Sequence, residues 1–306
     1  MPAGAAYVAI DWGTTNRRVH LMDAAGKILH SEHSGHGVLA MAGQSFPSSM
    51  DDIRARTGDL PILAAGMVGS NRGWIDVPYV DAPADAAALA RGTVAAHTPT
   101  PASTSTSASA SACWIVPGVA LANDSRCDVM RGEEVSIVGA VLAGLAPPDG
   151  RFCLPGTHNK WVACADGRIE TFTTAITGEL FALLRDHGTL SGLLNGEVHP
   201  DEAFRRGVER GARAPDLAAA LFEARASVLL GRFPAGEAAA FVSGVLIGSD
   251  VGAQDDLAAN PIHLIGSGSL ADLYDSAITI CGGQTVRVDS DAAFAAGIHH
   301  IWRLIS

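Results

Sequence analysis

The same plan of strands and turns occurs twice along this chain of 306 residues. In the first half, the apolar run 7–10 ends at Asp11 and enters the turn Gly13-Thr14-Thr15. In the second half, the apolar run 152–154 enters the turn Pro155-Gly156-Thr157-His158. In both halves, alternating residues predict a second strand after this turn and a third strand after an Asp-containing turn. Two halves with one plan indicate an internal duplication, which limits the possible folds more than any other feature of the sequence.

The remainder of the chain alternates strands and helices, which predicts an α/β fold. Apolar runs bounded by turn residues predict further strands at 61–67, 114–116 and 262–265. Helical spacing and composition predict helices at 84–96, 133–145, 179–190, 201–210, 216–231, 269–276 and 290–303.

The length of the chain predicts two domains or one large one, and the duplication favours two. We place the first domain at 1–147, completed by a C-terminal helix within 288–306, and the second domain at 148–287. The segment 98–112, TPTPASTSTSASASA, contains too few apolar residues to bury a core and is predicted to be a surface insertion in the first domain.

Composition excludes several classes of protein. With 21 basic and 32 acidic residues the net charge is −11, which argues against a general nucleic-acid binder. The five cysteines have neither CxxC spacing nor His partners at metal-ligand spacing, so we predict no disulfide framework and no zinc site. No apolar stretch reaches the length of a membrane span, and we expect a cytoplasmic protein without a membrane partner. The densest group of histidines is interpreted as turn and surface residues, not metal ligands: His20, His30, His33 and His36.

Three turns have residues suited to binding a nucleotide. At the first turn, the Asp11 carboxylate suits Mg²⁺ directly or through water, and the hydroxyls of Thr14 and Thr15 suit phosphate oxygens. The second turn, Gly156-Thr157, repeats this pattern. In each case the alternative is an ordinary hairpin whose polar side chains only satisfy the turn.

The third turn, Gly266-Ser267-Gly268, breaks an apolar strand just before a predicted helix and lets the backbone approach a base or ribose closely. It is not a Walker loop, because no GxxxxGK[ST] pattern occurs. It is not a complete dinucleotide fingerprint either, because Ala271 stands where that motif has its third glycine.

Six blocks of sequence, in order along almost the whole chain, resemble the 2-dehydro-3-deoxygalactonokinase family of the acetate kinase, sugar kinase, Hsp70 and actin superfamily. These blocks are DWGTTNRR, GMVGSNRGW, DVMRGEE, LPGTHNKW, TGELFALL and SGVLIGSD. The resemblance implies an α/β fold of two duplicated ribonuclease H-like domains, as in actin-like ATPases, with ATP in a cleft between them. It also implies ATP- and Mg²⁺-dependent phosphorylation of 2-dehydro-3-deoxy-D-galactonate at its 6-hydroxyl, in the breakdown of galactonate.

Carried over to this sequence, the family pattern assigns roles to each turn. The first phosphate motif corresponds to Asp11, Gly13, Thr14 and Thr15, with Asp11 also serving Mg²⁺; the second corresponds to Gly156 and Thr157, and the adenosine motif to Gly266, Ser267 and Gly268. Related kinases place the base at the start of the helix before the second phosphate motif. We expect Glu133 to be this base, with Asp128 as the second choice, unless the acids only stabilise the helix dipole.

The implied substrate is a carboxylate with several hydroxyls, so its site should contain arginine and hydrogen-bonding loops. The candidates are Arg18, Ser70, Asn71, Arg72, Trp74, Arg131 and Lys160. Lys160 suits either the γ-phosphate or the substrate carboxylate, and it is equally consistent with a solvated strand residue. We expect a small-molecule partner, and the sequence leaves a homo-oligomer open.

Three other functions remain open at this point. A kinase of the same fold for another keto-deoxy sugar acid or an amino sugar fits the same phosphate motifs. A sensory module that binds ATP without turning it over also fits. An assembling actin-like or Hsp70-like protein fits less well, because 306 residues leave no room for the additional subdomains of those proteins.

Overall fold

The computed structural model describes residues 4–42, 45–96, 112–123, 126–213 and 216–306. The strands are β1 (Ala5–Trp12), β2 (Arg17–Asp23), β3 (Ile28–Ser34), β4 (Ile62–Gly66), β5 (Val80–Asp81), β6 (Val94–Ala96), β7 (Cys113–Ile115), β8 (Val119–Asn123), β9 (Arg126–Met130), β10 (Arg151–Leu154), β11 (Asn159–Ala165), β12 (Arg168–Ala175), β13 (Ile262–Ile265) and β14 (Thr285–Val288). The α-helices are α1 (Phe46–Thr57), α2 (Ala86–Gly92), α3 (Glu133–Leu142), α4 (Thr177–His187), α5 (Glu202–Arg213), α6 (Leu217–Leu229), α7 (Ala238–Gly252), α8 (Gly268–Ile280) and α9 (Ser290–Ile305).

The chain divides into two compact units. The first unit comprises Met1–Asp149, Cys164–Thr171 and Ser290–Ser306, and the second comprises Gly150–Ala163 and Phe172–Asp289. The segment Cys164–Thr171 was predicted to belong to the second domain. It groups with the first unit because Ile169 and Ala84 exchange two backbone hydrogen bonds, of 2.8 and 3.1 Å. Most of the low-complexity segment predicted to be an insertion, residues 98–111, lies outside the described residues.

The two main sheets share one strand order. The larger sheet has the order β3-β2-β1-β4-β7-β6, and the five-stranded sheet has the order β12-β11-β10-β13-β14. In each, the first strand pairs antiparallel with the second and parallel with the fourth. Counted within each half, the order third, second, first, fourth is therefore present in both sheets, and a further parallel strand, β7 or β14, follows the fourth. This confirms the predicted duplication of an α/β, ribonuclease H-like plan. A separate three-stranded sheet, β5-β8-β9, completes the described strands.

In each unit, two helices pack so closely that their backbones touch. In the first unit, a Cβ on Gly139 of α3 would overlap the carbonyl of Ala293, and a Cβ on Gly297 of α9 would overlap that of Val135. The pair α5 and α7 in the second unit has the same kind of contact. It is made by glycines spaced four residues apart on each helix: Gly207, Gly211, Gly244 and Gly248.

Several elements differ from the sequence prediction. The helix predicted over 84–96 ends at Gly92, and Val94–Ala96 instead pair with β7 as an edge strand. Helix α7 was not predicted, because nearly all of its residues are buried and it lacks a polar face that would reveal helical spacing. Helix α1 and strands β5, β8, β9 and β14 were also not predicted.

The histidine cluster is only partly at the surface. His30, His33 and His36 are exposed as expected, but His20 is completely buried. That prediction was wrong because His20 lies on β2, with its ring against Phe294 of α9 and its Nδ1 hydrogen-bonded to Ser31 Oγ at 2.8 Å. Burial lowers the pKa of His20 to about 4. Within the described ranges, no group of three or more His, Cys, Asp or Glu side chains is arranged to hold a metal ion.

No helix in the described part of the chain has both the length and the apolar character needed to cross a bilayer.

We expect Gly211→Ala to destabilise the second unit by about 3 kcal/mol, because the new methyl group would collide with the Val245 carbonyl of the facing helix. The expected fall in melting temperature is roughly 6–12 °C. The matched control is Gly236→Ala, at an exposed site where a Cβ would meet no atom within 4 Å. Equal melting temperatures for the two variants would show that the helix backbones are not in contact.

We also expect the buried His20 to make the fold acid-sensitive. Its pKa is lower in the folded state than in the unfolded chain, so the unfolded chain binds the proton first. This contribution to stability is complete above pH 6.5 and decreases by about 1.4 kcal/mol per pH unit toward pH 4. In urea titrations, His20→Asn should reduce the decrease in the free energy of unfolding between pH 6.5 and pH 4. The exposed control His30→Asn should leave this decrease unchanged.

Candidate active site

The first candidate site lies at the carboxyl end of β1, where Asp11 sits beside the parallel strand β4. Arg18 on β2 approaches the Asp11 carboxylate at 3.7 Å and also contacts Asp291, in the first turn of α9, at 3.1 Å. The pKa of Asp11 is raised to about 6, mainly because the carboxyl is buried. The charges of Glu133 and Asp291 contribute to this rise, and the charge of Arg18 opposes it. Asp11 and Asp291 therefore share Arg18, and the charge of Glu133 also acts on the Asp11 carboxylate.

The Gly13-Thr14-Thr15 turn has a fixed backbone. The following segment packs on it so closely that a Cβ on Gly37 would overlap the backbone of the turn. The Val38 and Leu39 amides donate to the carbonyls of Gly13 and Thr14, at 3.0 and 3.1 Å. These contacts hold the turn in one shape, with the Thr14 side chain half-buried and Thr15 exposed.

Helix α3 begins at this same place because two glycines allow a close approach. Gly66 and Gly132 have φ angles of 96° and 116°, and a Cβ on Gly132 would lie 3.2 Å from the Gly66 Cα. A Cβ on Gly66 would in turn lie 2.7 Å from the carbonyl oxygen of Trp12, the residue after Asp11. The first turn of α3 is thereby held against the ends of β1 and β4.

The two glutamates that open α3 differ in their surroundings. Glu134 is completely buried, and both its oxygens accept from the Gly132 amide, at 2.8 and 2.7 Å. Burial raises the pKa of Glu134 to about 8. Glu133 is only half-buried and accepts from the Arg131 amide at 3.1 Å. Glu134 is therefore enclosed at the start of the helix, whereas the Glu133 side chain is partly exposed.

Asp128 does not lie at the start of α3 as expected. It belongs to β9, where its carboxylate contacts Arg126 at 3.2 Å and accepts from the Val129 amide at 2.8 Å. The helix could not begin there because residues 126–130 pair with β8 as the second strand of a hairpin. Of the two candidate bases, the structure brings Glu133 to Asp11 and leaves Asp128 in a local ion pair.

Arg131 stands out among the predicted substrate residues. Its side chain is buried, lies over the Tyr79 ring at 4.1 Å and donates from Nη2 to the Val77 carbonyl at 2.7 Å. Its Nε and Nη1 have no hydrogen-bond partner within the described residues. Because a buried guanidinium with unused donors is costly, this arrangement suits an anionic ligand.

The loop after β4 contains four other predicted residues. Buried Ser70 serves the loop itself, since it donates to the Met67 carbonyl at 2.7 Å and accepts from the Arg72 amide at 3.3 Å. Trp74 packs against the core of the first unit. Only Asn71 and Arg72 have exposed side chains there. The last candidate, Lys160, is buried on β11 of the second unit, opposite Leu154.

The second unit brings the other two glycine turns together. Its strands β10 and β13 are parallel neighbours, so the turns that follow them lie at the same edge of the sheet. A Cβ on Gly266 would lie 3.5 Å from Pro155 Cδ, beside Gly156. Ser267 precedes α8, and Gly268, with φ 73°, begins that helix with open space on the side of its missing Cβ.

Helix α4 packs on the Gly156-Thr157 turn. A Cβ on Gly178 would lie 2.7 Å from the Gly156 carbonyl oxygen, and the Glu179 amide donates to the Thr157 carbonyl at 3.0 Å. The Glu179 carboxylate also contacts Nε2 of His158 at 2.6 Å, with both side chains about half exposed. Thr157 itself is exposed, so its hydroxyl is free to meet a ligand.

A cavity of about 310 Å³ opens next to these turns, between α4, α7 and α8. Most of its lining is apolar, with a few hydroxyl groups: Thr177, Gly178, Phe181, Val198, Ser243, Leu246, Ile247, Ser269, Leu270, Leu273 and Tyr274. Its size and lining suit a flat, largely apolar group such as a nucleobase.

Asp250 on α7 joins the elements around this cavity and was not predicted. Its carboxylate accepts four hydrogen bonds, two of them from residues of β11 just after the phosphate turn, Asn159 and Trp161, at 2.8 and 2.9 Å. The other two come from Thr177 of α4 and Tyr274 of α8, at 3.2 and 2.7 Å. Burial raises the pKa of Asp250, and the four donors act against this rise.

The only sequence signal for Asp250 was its place at the end of the SGVLIGSD block. Asp291 was also missed, although an acid at the start of the last predicted helix was visible. Nothing in the sequence indicates that this acid faces Asp11, because the two residues lie at opposite ends of the chain.

Comparisons with known proteins agree with this geometry. The model of a family described as 2-keto-3-deoxy-galactonokinase matches residues 11–301. The 2-dehydro-3-deoxygalactonokinase of Escherichia coli (strain K12) is 36% identical over 301 residues, which cover 97% of both chains. The Rhizobium meliloti (strain 1021) protein DgoK1 is 34% identical over 308 residues, and the alignment covers 98% of this chain and 97% of that protein.

The crystal structure of a Sinorhizobium meliloti protein matches this chain with a TM-score of 0.88 and 33% sequence identity. The alignment covers 98% of this chain and 96% of that one. The resemblance found in the sequence is thereby confirmed, and the chain belongs to the 2-keto-3-deoxy-galactonokinase family.

Proposed function

We propose that this protein transfers the γ-phosphoryl group of ATP to the 6-hydroxyl of 2-dehydro-3-deoxy-D-galactonate. The substrate oxygen forms the new bond to phosphorus, the bond from phosphorus to the ADP oxygen breaks, and the hydroxyl proton leaves. The main support is the carboxylate site of Asp11, Arg18 and Glu133 at a Gly-Thr turn, in a chain that matches the kinase family over residues 11–301. Phosphoryl transfer requires this kind of positioning and charge compensation.

We place the nucleotide on the second unit. The 310 Å³ cavity takes the base, and the turn Gly266-Ser267-Gly268 approaches the ribose. The Gly156-Thr157 turn contacts the phosphates through its backbone amides and the exposed Thr157 hydroxyl. The support for this arrangement is that both turns lie at one edge of the sheet, next to the cavity.

Asp11 is the proposed ligand of Mg²⁺. A nucleotide-bound magnesium ion needs only one or two protein carboxylates, because phosphates and waters complete its shell. The charges of Glu133 and Asp291 act on Asp11 and favour such a cation beside it. When bound, the ion neutralises charge on the transferred phosphoryl group. The Thr14 and Thr15 hydroxyls of the first turn lie beside this carboxylate and are proposed phosphate contacts.

Glu133 is the proposed general base, because it is the partly exposed carboxylate at the start of α3, whereas Glu134 is completely buried. Its task is to take the proton of the 6-hydroxyl as the new bond forms. Arg131 is proposed to bind the substrate carboxylate through Nε and Nη1, the two donors without a partner among the described residues. Exposed Asn71 and Arg72 on the neighbouring loop are proposed hydroxyl contacts.

The test of this function is ADP release with Mg·ATP and a panel of acceptors. The panel contains 2-dehydro-3-deoxygalactonate, its gluconate epimer, hexoses and amino sugars. Stimulation by the galactonate compound alone is the expected result. Stimulation by another sugar would keep the kinase reaction but change its substrate. Nucleotide binding without stimulation by any acceptor would favour a sensory module.

We expect Glu133→Gln to lower kcat by roughly 10²–10⁴-fold, since a general base contributes this much to proton transfer. The matched control is Asp128→Asn, which removes the other candidate carboxylate from its ion pair with Arg126. It should leave kcat within about threefold of the wild type, as surface ion pairs contribute little. The opposite pattern of losses would identify Asp128 as the base.

Arg131→Lys should raise KM for the sugar acid by roughly 10–100-fold while KM for ATP stays unchanged. Lysine keeps the charge but loses the planar pair of donors that binds a carboxylate. The comparison variant is Arg72→Lys, on the exposed part of the loop, for which we expect less than about a fivefold rise. A larger effect at Arg72 would move the carboxylate site to the loop.

A further inference from the structure

Two of the four groups that donate to Asp250 also line the proposed base cavity. The Thr177 and Tyr274 hydroxyls both donate to Oδ2 of Asp250, at 3.2 and 2.7 Å, and both residues border the 310 Å³ cavity. The remaining donors, the Asn159 amide and the Trp161 indole, do not line it. Asp250 thus contacts two residues of the cavity wall but is not itself among the residues that line the cavity.

This arrangement determines which hydrogen-bonding groups the two hydroxyls present to a ligand. A hydroxyl has one proton and two acceptor lone pairs. When its proton is donated to a carboxylate, only lone pairs remain for the cavity. Thr177 and Tyr274 therefore act toward a ligand as acceptors. The short bond of Tyr274 to Asp250, at 2.7 Å, restrains its proton more strongly than the 3.2 Å bond restrains that of Thr177.

We propose that Asp250 is a positioning residue that sets the nucleobase preference of this enzyme, by making the Thr177 and Tyr274 hydroxyls acceptor-only. The favoured base edge is one with an N–H donor, such as the 6-amino group of adenine. An edge that presents only acceptors meets lone pairs and loses affinity. This inference rests on the proposed function in one respect, namely that the cavity holds the base.

The other residues of the cavity do not produce this preference. Its aliphatic and aromatic side chains contact the faces of any base without reading its edge. Ser243 and Ser269 also line the cavity, but neither has a hydrogen bond to Asp250 within the described residues. Their hydroxyls can rotate to donate or to accept, and so adapt to either kind of edge.

Asp250→Asn should reverse the polarity of the wall. The Trp161 indole N–H can only donate, so the amide oxygen of the new side chain must face it. The NH₂ group then takes the place of Oδ2 and faces the Asn159 amide as well as the Thr177 and Tyr274 hydroxyls. A hydroxyl that accepts from this NH₂ group turns its own proton toward the cavity. The variant therefore no longer favours a base with an amino group at this edge.

The experiment compares equilibrium binding of Mg·ATP with that of purine riboside triphosphate, which is ATP without its 6-amino group. Calorimetry is done without a sugar acid, so it does not depend on turnover. Wild-type protein should bind ATP at least about fivefold more tightly, the value of one hydrogen bond. In Asp250→Asn, this ratio should fall to about one or below.

Two controls separate this role from a structural one. Trp161→Phe removes another donor to the same carboxylate but does not touch the cavity, so the ratio should stay at the wild-type value even if the protein is less stable. Tyr274→Phe removes one cavity hydroxyl and should lower the ratio part of the way. If Asp250→Asn does not fold, Tyr274→Phe and Thr177→Val test the inference without it.

The outcomes are distinct. Equal affinity of the wild type for the two nucleotides, or an unchanged ratio in Asp250→Asn, overturns this inference while leaving the nucleotide site in place. Failure of the wild type to bind either nucleotide instead overturns the placement of the nucleotide in the proposed function.

Discussion

Backbone contact through glycine is the constraint on which both units depend. Helices α3 and α9 touch at Gly139 and Gly297, and α5 and α7 touch along their glycine rows. A similar close approach of Gly66 and Gly132 holds the first turn of α3 at the end of β1. At each of these glycines an added Cβ would overlap or crowd facing backbone atoms. A larger residue there would therefore displace a helix that carries a site residue. Packing and function are therefore coupled at the same backbone positions.

The site of the first unit holds carboxylates close to one another. Arg18 contacts Asp11 and Asp291, the charge of Glu133 also acts on Asp11, and the pKa of Asp11 is raised to about 6, mainly by burial. Such an arrangement costs stability in the absence of a ligand, because like charges are held together and partly removed from water. It is well suited to a nucleotide with its cation. Arg131 also lowers stability locally, because its buried cationic side chain has two N–H donors without a hydrogen-bond partner among the described residues.

The second unit satisfies its buried charge internally. Asp250 accepts from β11, α4 and α8, so a single carboxylate connects the strand after the phosphate turn with two helices of the cavity wall. A buried carboxylate is tolerable only when most of its acceptor sites are used. Four donors from three elements fulfil this requirement and at the same time fix the orientation of two hydroxyls beside the proposed nucleotide.

The sequence by itself determined the duplicated plan of strands and turns, the three glycine turns and the family, because each depends on residues close together in the chain. It also predicted most helices that have a polar and an apolar face. It did not reveal α7, whose residues are buried on all sides, or the burial of His20 against α9. Only the tertiary structure decided that Glu133 rather than Asp128 lies near Asp11, and that Asp291 and Asp250 complete the two sites. These outcomes depend on sheet order and helix packing between segments far apart in sequence, which local propensity does not contain.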